Sequence, residues 1–561
     1  MSLLRRRLDE RTILLAIVLL AAFALSMHGG TPLRHPDSLV GRAYHALTNA
    51  GDPGFFHYPA LGVYLNAAAY AVYRVLAEQA TPELLAHLAS WPWVDLPGHL
   101  VTATFSAAGV GAAFLIAARL AGLTAGFVAA ATLVSAPLWN ADAHYVTVDI
   151  PLAALCALAL AWLTCRGEKA AGLHFDLAAG AWIGLATAMK YNGFVLAVPF
   201  VVVLAARTGF THRLVLSLLR TAAVAISVFF LCNPYALVRH HLFRSHLKEE
   251  LAHSRQGHPG YDLEAWHQPL TSTLPTGLGL VPLMLAVAGL IWIWRDRGPS
   301  SRANAAALSA FLLAYFALVA TSTVDFDRYA LPLLPVVAAL CGVGVSELGR
   351  AASGPNAGRL GQTIALLVSL GLGVAIGWNL DTCMRHNALL GTDTRTVVRN
   401  LLELAPEADI ALSPFLAADA PSSARLLAPS GAEGSDLLLV DSFGHDRLLY
   451  DPDVPADQGV ELSVLRRSEA ALVVSPFQRP KQGVAFSPKS VYSPYPPDLW
   501  ARSASGPYVE IYGPREQLEH LVERTGQASP AIRVSLAGRN EAFYYKRLLD
   551  SGPCEAVRSD R

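Results

Sequence analysis

Hydrophobic residues fall in long, nearly unbroken runs over the first two thirds of this chain, and polar residues gather in the gaps between them. A helix crossing a bilayer core needs about 20 apolar residues. Runs of that order occupy 12–28, 99–118, 123–140, 148–165, 176–189, 191–206, 214–232, 274–294, 304–321, 329–347 and 361–380. The pattern predicts eleven transmembrane helices. Lys190, Tyr191, Asn192 and Gly193 interrupt the apolar stretch 176–206, so two short spans joined by a tight polar turn are expected there. Arg5, Arg6 and Arg7 precede the first run, the order of a secretory signal. No small-x-small cleavage site follows and many further runs do, which favours an uncleaved first helix.

Beyond residue 380 the pattern changes in kind. Short apolar runs (ADIAL, SDLLLV, AALVVS, PYVEIYG) are separated by Pro, Gly and Ser, with an amphipathic segment REQLEHLVER after the last of them. Such runs read as buried strands between helices. The expected division is a membrane domain over 1–380 and a small soluble α/β domain over 381–561.

Lysine and arginine orient the spans, because cytoplasmic loops are enriched in them. Arg5, Arg6, Arg7 and Arg11 mark the N-terminus, and every second connection is basic: Arg119; Arg166 and Lys169; Arg207 and Arg213; Arg295, Arg297 and Arg302; Arg350 and Arg359. The intervening connections carry few positive charges. Eleven crossings then put the N-terminus in the cytoplasm of a cell (inner or plasma) membrane and the C-terminal domain outside. Two outer loops are long, 29–98 and 233–273. The first contains GVYLNAAAYAVYRVL, suited to a helix lying along the interface with Trp91 and Trp93 as anchors.

Composition agrees with this reading. The chain is 53% hydrophobic and 15% charged, against about 25% charged in soluble domains. Its formal net charge is zero, so it lacks the basic footprint of a nucleic-acid partner. Cys156, Cys165, Cys232 and Cys341 lie in or beside apolar runs as small core residues. Cys383 and Cys554 lie in the polar C-terminal part, where an oxidising compartment would allow a disulfide.

Several polar residues fall at the outer ends of spans. Asp37, in RHPDSLVGRAY, is placed to act as a general base, or to be a solvated loop residue or helix N-cap. Asp149 opens a span as Asp-x-Pro, an arrangement that caps a helix as readily as it orients a substrate or metal. Lys190 lies at a span end, where its ammonium can reach a lipid phosphate or an anionic headgroup. Arg328 has the guanidinium geometry for phosphate, or pairs with Asp325 or Asp327. His57, His246, His253 and His258 could supply a divalent-metal site from separate loops, although no tight ligand spacing is present. Glu249 and Glu250 read as surface charges, and Asn233-Pro234 as a helix end.

The order of these segments resembles a known family. One span is followed by an outer Asp, then HYPALGVYL, DIP opening a span, GLATAMKYNG, a histidine-bearing outer loop ending GH, and RYALPLLP. This is similar to the GT-C-type glycosyltransferases of family 39, related to protein O-mannosyltransferases and aminoarabinose transferases, over roughly residues 10–380. The resemblance implies a hexosyl- or pentosyltransferase. Its donor would be a polyprenyl-phosphate sugar and its acceptor a lipid, glycan or protein outside the cytoplasm, with inversion at the anomeric carbon. It implies catalytic roles for Asp37 and Asp149 and substrate-binding roles for Lys190, Arg328, Tyr191, Arg42 and Tyr58. His57, His258 and His253 would hold any divalent metal (Mg, Mn or Zn). Two departures are plain: Ser38 follows Asp37 where the family often has Glu, and Tyr58 stands where aminoarabinose transferases have Lys. The alternatives are a transporter or lipid-linked sugar flippase, expected to carry midplane polar groups and repeated halves, and a non-catalytic scaffold. No internal repeat is evident.

Overall fold

The computed structural model describes residues 10–29, 35, 37–79, 95–166, 172–256, 265–296, 298–323, 326–354, 358–405, 407–412, 416, 425–426, 436–442, 467–478, 498–525, 531–538 and 542. The chain forms two compact units. One comprises Met1–Thr31, Asp37–Arg255 and Glu264–Cys383; the other comprises Pro32–Pro36, Gln256–Leu263 and Met384–Arg561.

Among the described residues the first unit is helical, and each of the eleven apolar stretches coincides with a helix or a broken pair of helices. Seven are single segments long and apolar enough to cross a membrane: Leu96–Ala121, Asp149–Arg166, Tyr191–Thr208, His212–Cys232, Ser301–Ala320, Asp327–Ser353 and Arg359–Leu390. Two are bent. Leu123–Val134 and Pro137–Ala143 meet at 63°, and Pro269–Leu278 and Leu280–Arg295 meet at 110°. These bends correct the straight spans expected over 123–140 and 274–294. Their causes are local. Pro137 has no N–H to continue a helix. Gly279 adopts φ +104°, a region that costs other residues a Cβ clash, and Asn379 donates from Nδ2 to the Leu278 carbonyl to hold the corner. The remaining two stretches are the shorter apolar helices Leu15–Met27 and Leu173–Met189.

Small residues set the packing. A Cβ on Gly180 or Gly184 would strike Thr221 or Ala225 backbone, and one on Gly289 or Gly344 would strike Leu340 or Leu285 backbone. Side-chain-free faces of this kind let apolar helices approach closely, where dispersion and backbone contact replace the hydrophobic effect. Asp327–Ser353 is almost entirely buried among the other helices, whereas Arg359–Leu390 is mostly exposed. The interrupted 176–206 stretch is two helices, as expected. Leu173–Met189 ends at Lys190, which is extended (φ −151°, ψ 141°), and a 3₁₀ turn Tyr191–Leu196 starts the next segment. Gly193 makes that turn possible, because a side chain there would collide with the Ala186 backbone.

The long first loop carries helices Val40–Thr48 and Leu61–Ala77; Trp91 and Trp93 lie outside the described residues. The long second loop carries helix His240–Gln256. Cys156 and Cys341 are buried as core residues, Cys232 is partly exposed and Cys165 exposed. Cys383 is a buried free thiol donating to the Ser135 carbonyl; Cys554 lies outside the described residues.

The second unit contains a six-stranded sheet in the order β2-β1-β3-β5-β4-β6: β1 Asp409–Ala411, β2 Arg425–Leu426, β3 Leu437–Asp441, β4 Ala470–Ser475, β5 Val509–Gly513 and β6 Arg533–Gly538. β1 pairs in parallel with β2 and β3; the other pairings are antiparallel. The runs expected to be strands become β1, β3, β4 and β5, and REQLEHLVER becomes helix Arg515–Thr525. β3, β4 and β5 are buried at every position, as their unbroken hydrophobic runs require. Asp393 caps helix Thr394–Glu403 by accepting from the Arg395 N–H.

Candidate active site

Four segments far apart in the chain bring their ends together in the first unit. Asp37 sits in the turn before helix Val40–Thr48, and that turn is tied to the segment ahead of Asp149 by the Leu39 N–H to the Val146 carbonyl, 2.9 Å. Asp149 is the first residue of its helix. Lys190 is the extended link after Leu173–Met189. Arg328 is in the 3₁₀ turn Asp327–Leu333 that opens the central helix.

Their charged ends form one network. Arg328 Nη2 lies 2.6 Å from Asp37 Oδ2, Arg328 Nε lies 3.6 Å from Asp149 Oδ2, and Lys190 Nζ lies 2.7 Å from Asp149 Oδ1. Lys190 and Asp149 are almost fully buried, at 7% and 5% side-chain exposure; Asp37 retains 33%. Asp37 is therefore the member that solvent or a second substrate can reach. Asp149 does not act as a mere cap, since its carboxylate spans both cations. Arg328 pairs with Asp37 and Asp149 rather than with its neighbour Asp327, whose Oδ1 accepts from the Thr273 hydroxyl at 2.5 Å; Asp325 lies outside the described residues. Aromatic rings wall the cations. Lys190 Nζ stands 4.6 Å from the Tyr329 ring centroid and 5.5 Å from that of Tyr58, and the Arg328 guanidinium stands 4.1 Å from that of Phe326. Such faces attract cations. Burial, with Asp37 beside it, raises the Tyr58 hydroxyl well above its ordinary range, so it stays protonated.

The other proposed substrate-binding residues lie beside this network. Tyr191 donates to the Phe56 carbonyl at 2.7 Å, and Arg42 stacks 4.4 Å over Phe55. The Phe55–Ala60 loop is held at two further points. The Phe56 N–H donates to His246 Nδ1 at 3.1 Å, and the Ala60 N–H donates to Asn233 Oδ1. Asn233 is thus more than the helix end expected of it; buried at 1% exposure, it fixes the loop that carries His57 and Tyr58.

The histidines form a second group, which shares His57 with the expected one. Among the described residues, the donors close enough to hold an ion are His57, His246 and Glu249, all within 4.8 Å of one another. His57 stacks on His246 with centroids 4.3 Å apart, and its Nε2 lies 3.5 Å from Glu249 and its Nδ1 3.9 Å from Glu250. Residues 246, 249 and 250 share one face of helix His240–Gln256 by their i, i+3, i+4 spacing. His253 stands two turns beyond His246, roughly 10 Å along the axis, which leaves it out of the group. His258 lies outside the described residues. Glu249 and Glu250 are therefore not bystanders, and the His246–Glu249–Glu250 spacing was the signal for them. Burial, then the His246 ring, lower the His57 pKa from 6.5, so the ring is neutral near pH 7. Burial raises Glu250 above the ordinary carboxylate value despite the nearby Lys190.

Two imidazoles and a carboxylate suit Zn or Mn better than Mg, which prefers oxygen ligands. The donor types fit a divalent ion, with one adjustment. His246 Nδ1 accepts from Phe56, so a neutral ring carries its proton on Nε2; ligation through His246 requires that hydrogen bond to break.

The comparisons with known proteins agree with this layout. Residues 94–235, which hold Asp149 and Lys190, match the family model described as dolichyl-phosphate-mannose-protein mannosyltransferase. No curated protein matches the chain by sequence. Among solved structures, the apo oligosaccharyltransferase of Archaeoglobus fulgidus is 11% identical with a TM-score of 0.53, covering 84% of this chain and 74% of that one. ArnT from Cupriavidus metallidurans bound to undecaprenyl phosphate is 18% identical with a TM-score of 0.48, covering 72% and 82%. The fold is that of the membrane oligosaccharyltransferase. The chain is a multi-pass membrane protein that shares this fold, and its residues 94–235 resemble the mannosyltransferase family.

Proposed function

We propose that the protein transfers a sugar from a polyprenyl-phosphate-linked donor to a lipid, glycan or protein hydroxyl on the extracytoplasmic face of the cell membrane, with inversion. What carries this reading is the Asp37–Arg328–Asp149–Lys190 network, which sets two cations beside one reachable carboxylate. The donor phosphate docks on Arg328 and Lys190. In doing so it takes the Arg328 guanidinium from Asp37, and Asp37 is released as a base. Asp37 removes the acceptor hydroxyl proton as that oxygen bonds to the anomeric carbon. The bond from that carbon to the phosphate oxygen breaks, and the polyprenyl phosphate leaves with its added negative charge held by Lys190 and Arg328. Asp149 keeps both cations aimed. A divalent ion on His57, His246 and Glu249 would add Lewis-acid stabilisation of phosphate charge. The alternation of basic connections supports an N-terminus in the cytoplasm and a C-terminal domain outside. A transporter reading is not favoured, since these charges gather at helix ends and not at midspan.

The test is incubation of the purified protein with a panel of polyprenyl-phosphate sugars, measuring released polyprenyl phosphate. Release from at least one donor, abolished in Asp37→Asn, is expected. No release from any donor, with or without added Zn, Mn or Mg, would overturn the assignment, and retained anomeric configuration would remove Asp37 from the role of base.

A further inference from the structure

We infer that Thr273 and Asp327 form a clasp that presents Arg328 to the donor phosphate, which makes Thr273 a positioning residue of the site. The inference rests on the reading of Arg328 as a phosphate ligand. Thr273 is 1% exposed and Asp327 8%, and the hydroxyl donates to Asp327 Oδ1 across 2.5 Å, joining segments 54 residues apart. Asp327 and Arg328 are consecutive in a 3₁₀ turn. With three residues per turn, neighbouring side chains there diverge by about 120°. Anchoring Asp327 on one side therefore sets the direction of Arg328 on the other, toward Asp37 and Asp149.

The local backbone supports the clasp. Pro269–Thr273 is a π-helical turn closed by the Leu274 N–H to the Pro269 carbonyl, a wider turn found in short pieces inside helices and often at functional sites. Thr273 is its last residue, on the side of the corner at Gly279 that faces the 3₁₀ turn. Charge explains why a clasp is needed. Asp37 and Asp149 already hold Arg328, Asp149 also holds Lys190, and Asp142 lies within electrostatic reach of Asp149, Asp327 and both cations. A carboxylate adjacent in sequence to Arg328 is the one most able to capture it. The Thr273 hydroxyl holds one oxygen of that carboxylate, Oδ1, and fixes its direction. A buried carboxylate that loses a hydrogen bond is free to turn toward another donor, and the guanidinium on the next residue is the one the phosphate requires.

The experiment measures binding of polyprenyl monophosphate to the full-length protein in nanodiscs, with thermal unfolding as the control for folding. Thr273→Val should weaken binding on the order of tenfold, the scale of one hydrogen bond to a charged group. In turnover it should raise KM for the donor with little change in kcat. Thr273→Ser should restore wild-type affinity, because it keeps the hydroxyl. Thr273→Val with Asp327→Asn should regain most of the loss, because the competing charge is gone; a merely structural role would make the double variant no better. Wild-type affinity in Thr273→Val would overturn the clasp, as would a loss that neither Ser nor the added Asp327→Asn relieves. Should Thr273→Val fail to fold, the Thr273→Ser protein alone decides, since reduced affinity there contradicts the clasp and full affinity supports it. Arg328→Gln separates the two levels. If it binds the monophosphate as tightly as wild type, the donor reading itself fails.

Discussion

His57 and Tyr58 are neighbours in sequence, yet their side chains belong to two polar groups built on different principles. The group that includes Tyr58 is buried. Lys190 and Asp149 are locked at 2.7 Å, and the members come from four segments held by the packing of apolar helices. The group that includes His57 is open. Its ion pair to Glu249 is 3.5 Å with both partners substantially exposed, and most of its members share one helix face. In the first group Lys190 and Asp149 depend on each other, because burial keeps water from replacing a lost partner, and only Asp37 is open to solvent. In the second, water or an ion can substitute for any member. The first therefore behaves as fixed machinery, and the second as an adaptable site.

That difference can be broken or sharpened by experiment. The largest effect is expected for Asp37→Asn, with sugar transfer falling about 10²–10⁴-fold, the contribution of a general base; a variant with full turnover would dissolve the assignment. Next is stability. Removing Lys190 as Lys190→Ala leaves buried Asp149 with only its longer contact to Arg328 and should cost about 3 kcal/mol in chemical or thermal unfolding, whereas His57→Ala or Glu249→Ala should stay within about 1 kcal/mol. Equal losses in the two groups would erase the contrast. A smaller and less intuitive effect concerns affinity. Because the phosphate must take Arg328 from Asp37, Asp37→Asn should bind polyprenyl monophosphate roughly tenfold more tightly than wild type, while being inactive. Weaker binding would mean that Asp37 and the phosphate do not compete.

The smallest effect is a pH dependence in chelator-treated protein. The His57 pKa is lowered on folding from 6.5, so above that value the ring is neutral in both folded and unfolded chains. As pH falls below 6.5 the unfolded chain takes up the proton first, and stability declines until the folded pKa is passed. His57→Gln should flatten part of that decline in unfolding curves collected between pH 7 and pH 5. A stability that rises on acidification through that range would contradict the sign.

Much of this architecture is legible along the chain, and the failures are instructive. Hydropathy located the helices, but it did not reveal the corners at Pro137 and Gly279. A sum of apolar residues is the same for a straight and a bent segment. The chemical character of Asp37, Asp149, Lys190 and Arg328 was also legible, since a charge beside an apolar run is conspicuous. Their pairing was not. Arg328 passed over the adjacent Asp327 for Asp37, 291 residues away, and nothing local in RYALPLLP dictates that choice. Glu249 looked like a surface charge because its helix has few apolar residues and its partner, His57, lies in another loop.

By itself, the sequence determined that this chain dissolves in a bilayer, where helices must satisfy their own backbone and charges must retreat to the ends. It also determined that the last third packs as a sheet whose central strands are hydrophobic on both faces. Only the tertiary structure decided which charge meets which. An ion pair a few ångströms long is set by the crossing of whole helices, and those crossings depend on side-chain-free faces such as Gly289 against Leu340, whose contacts no reading of one segment at a time contains.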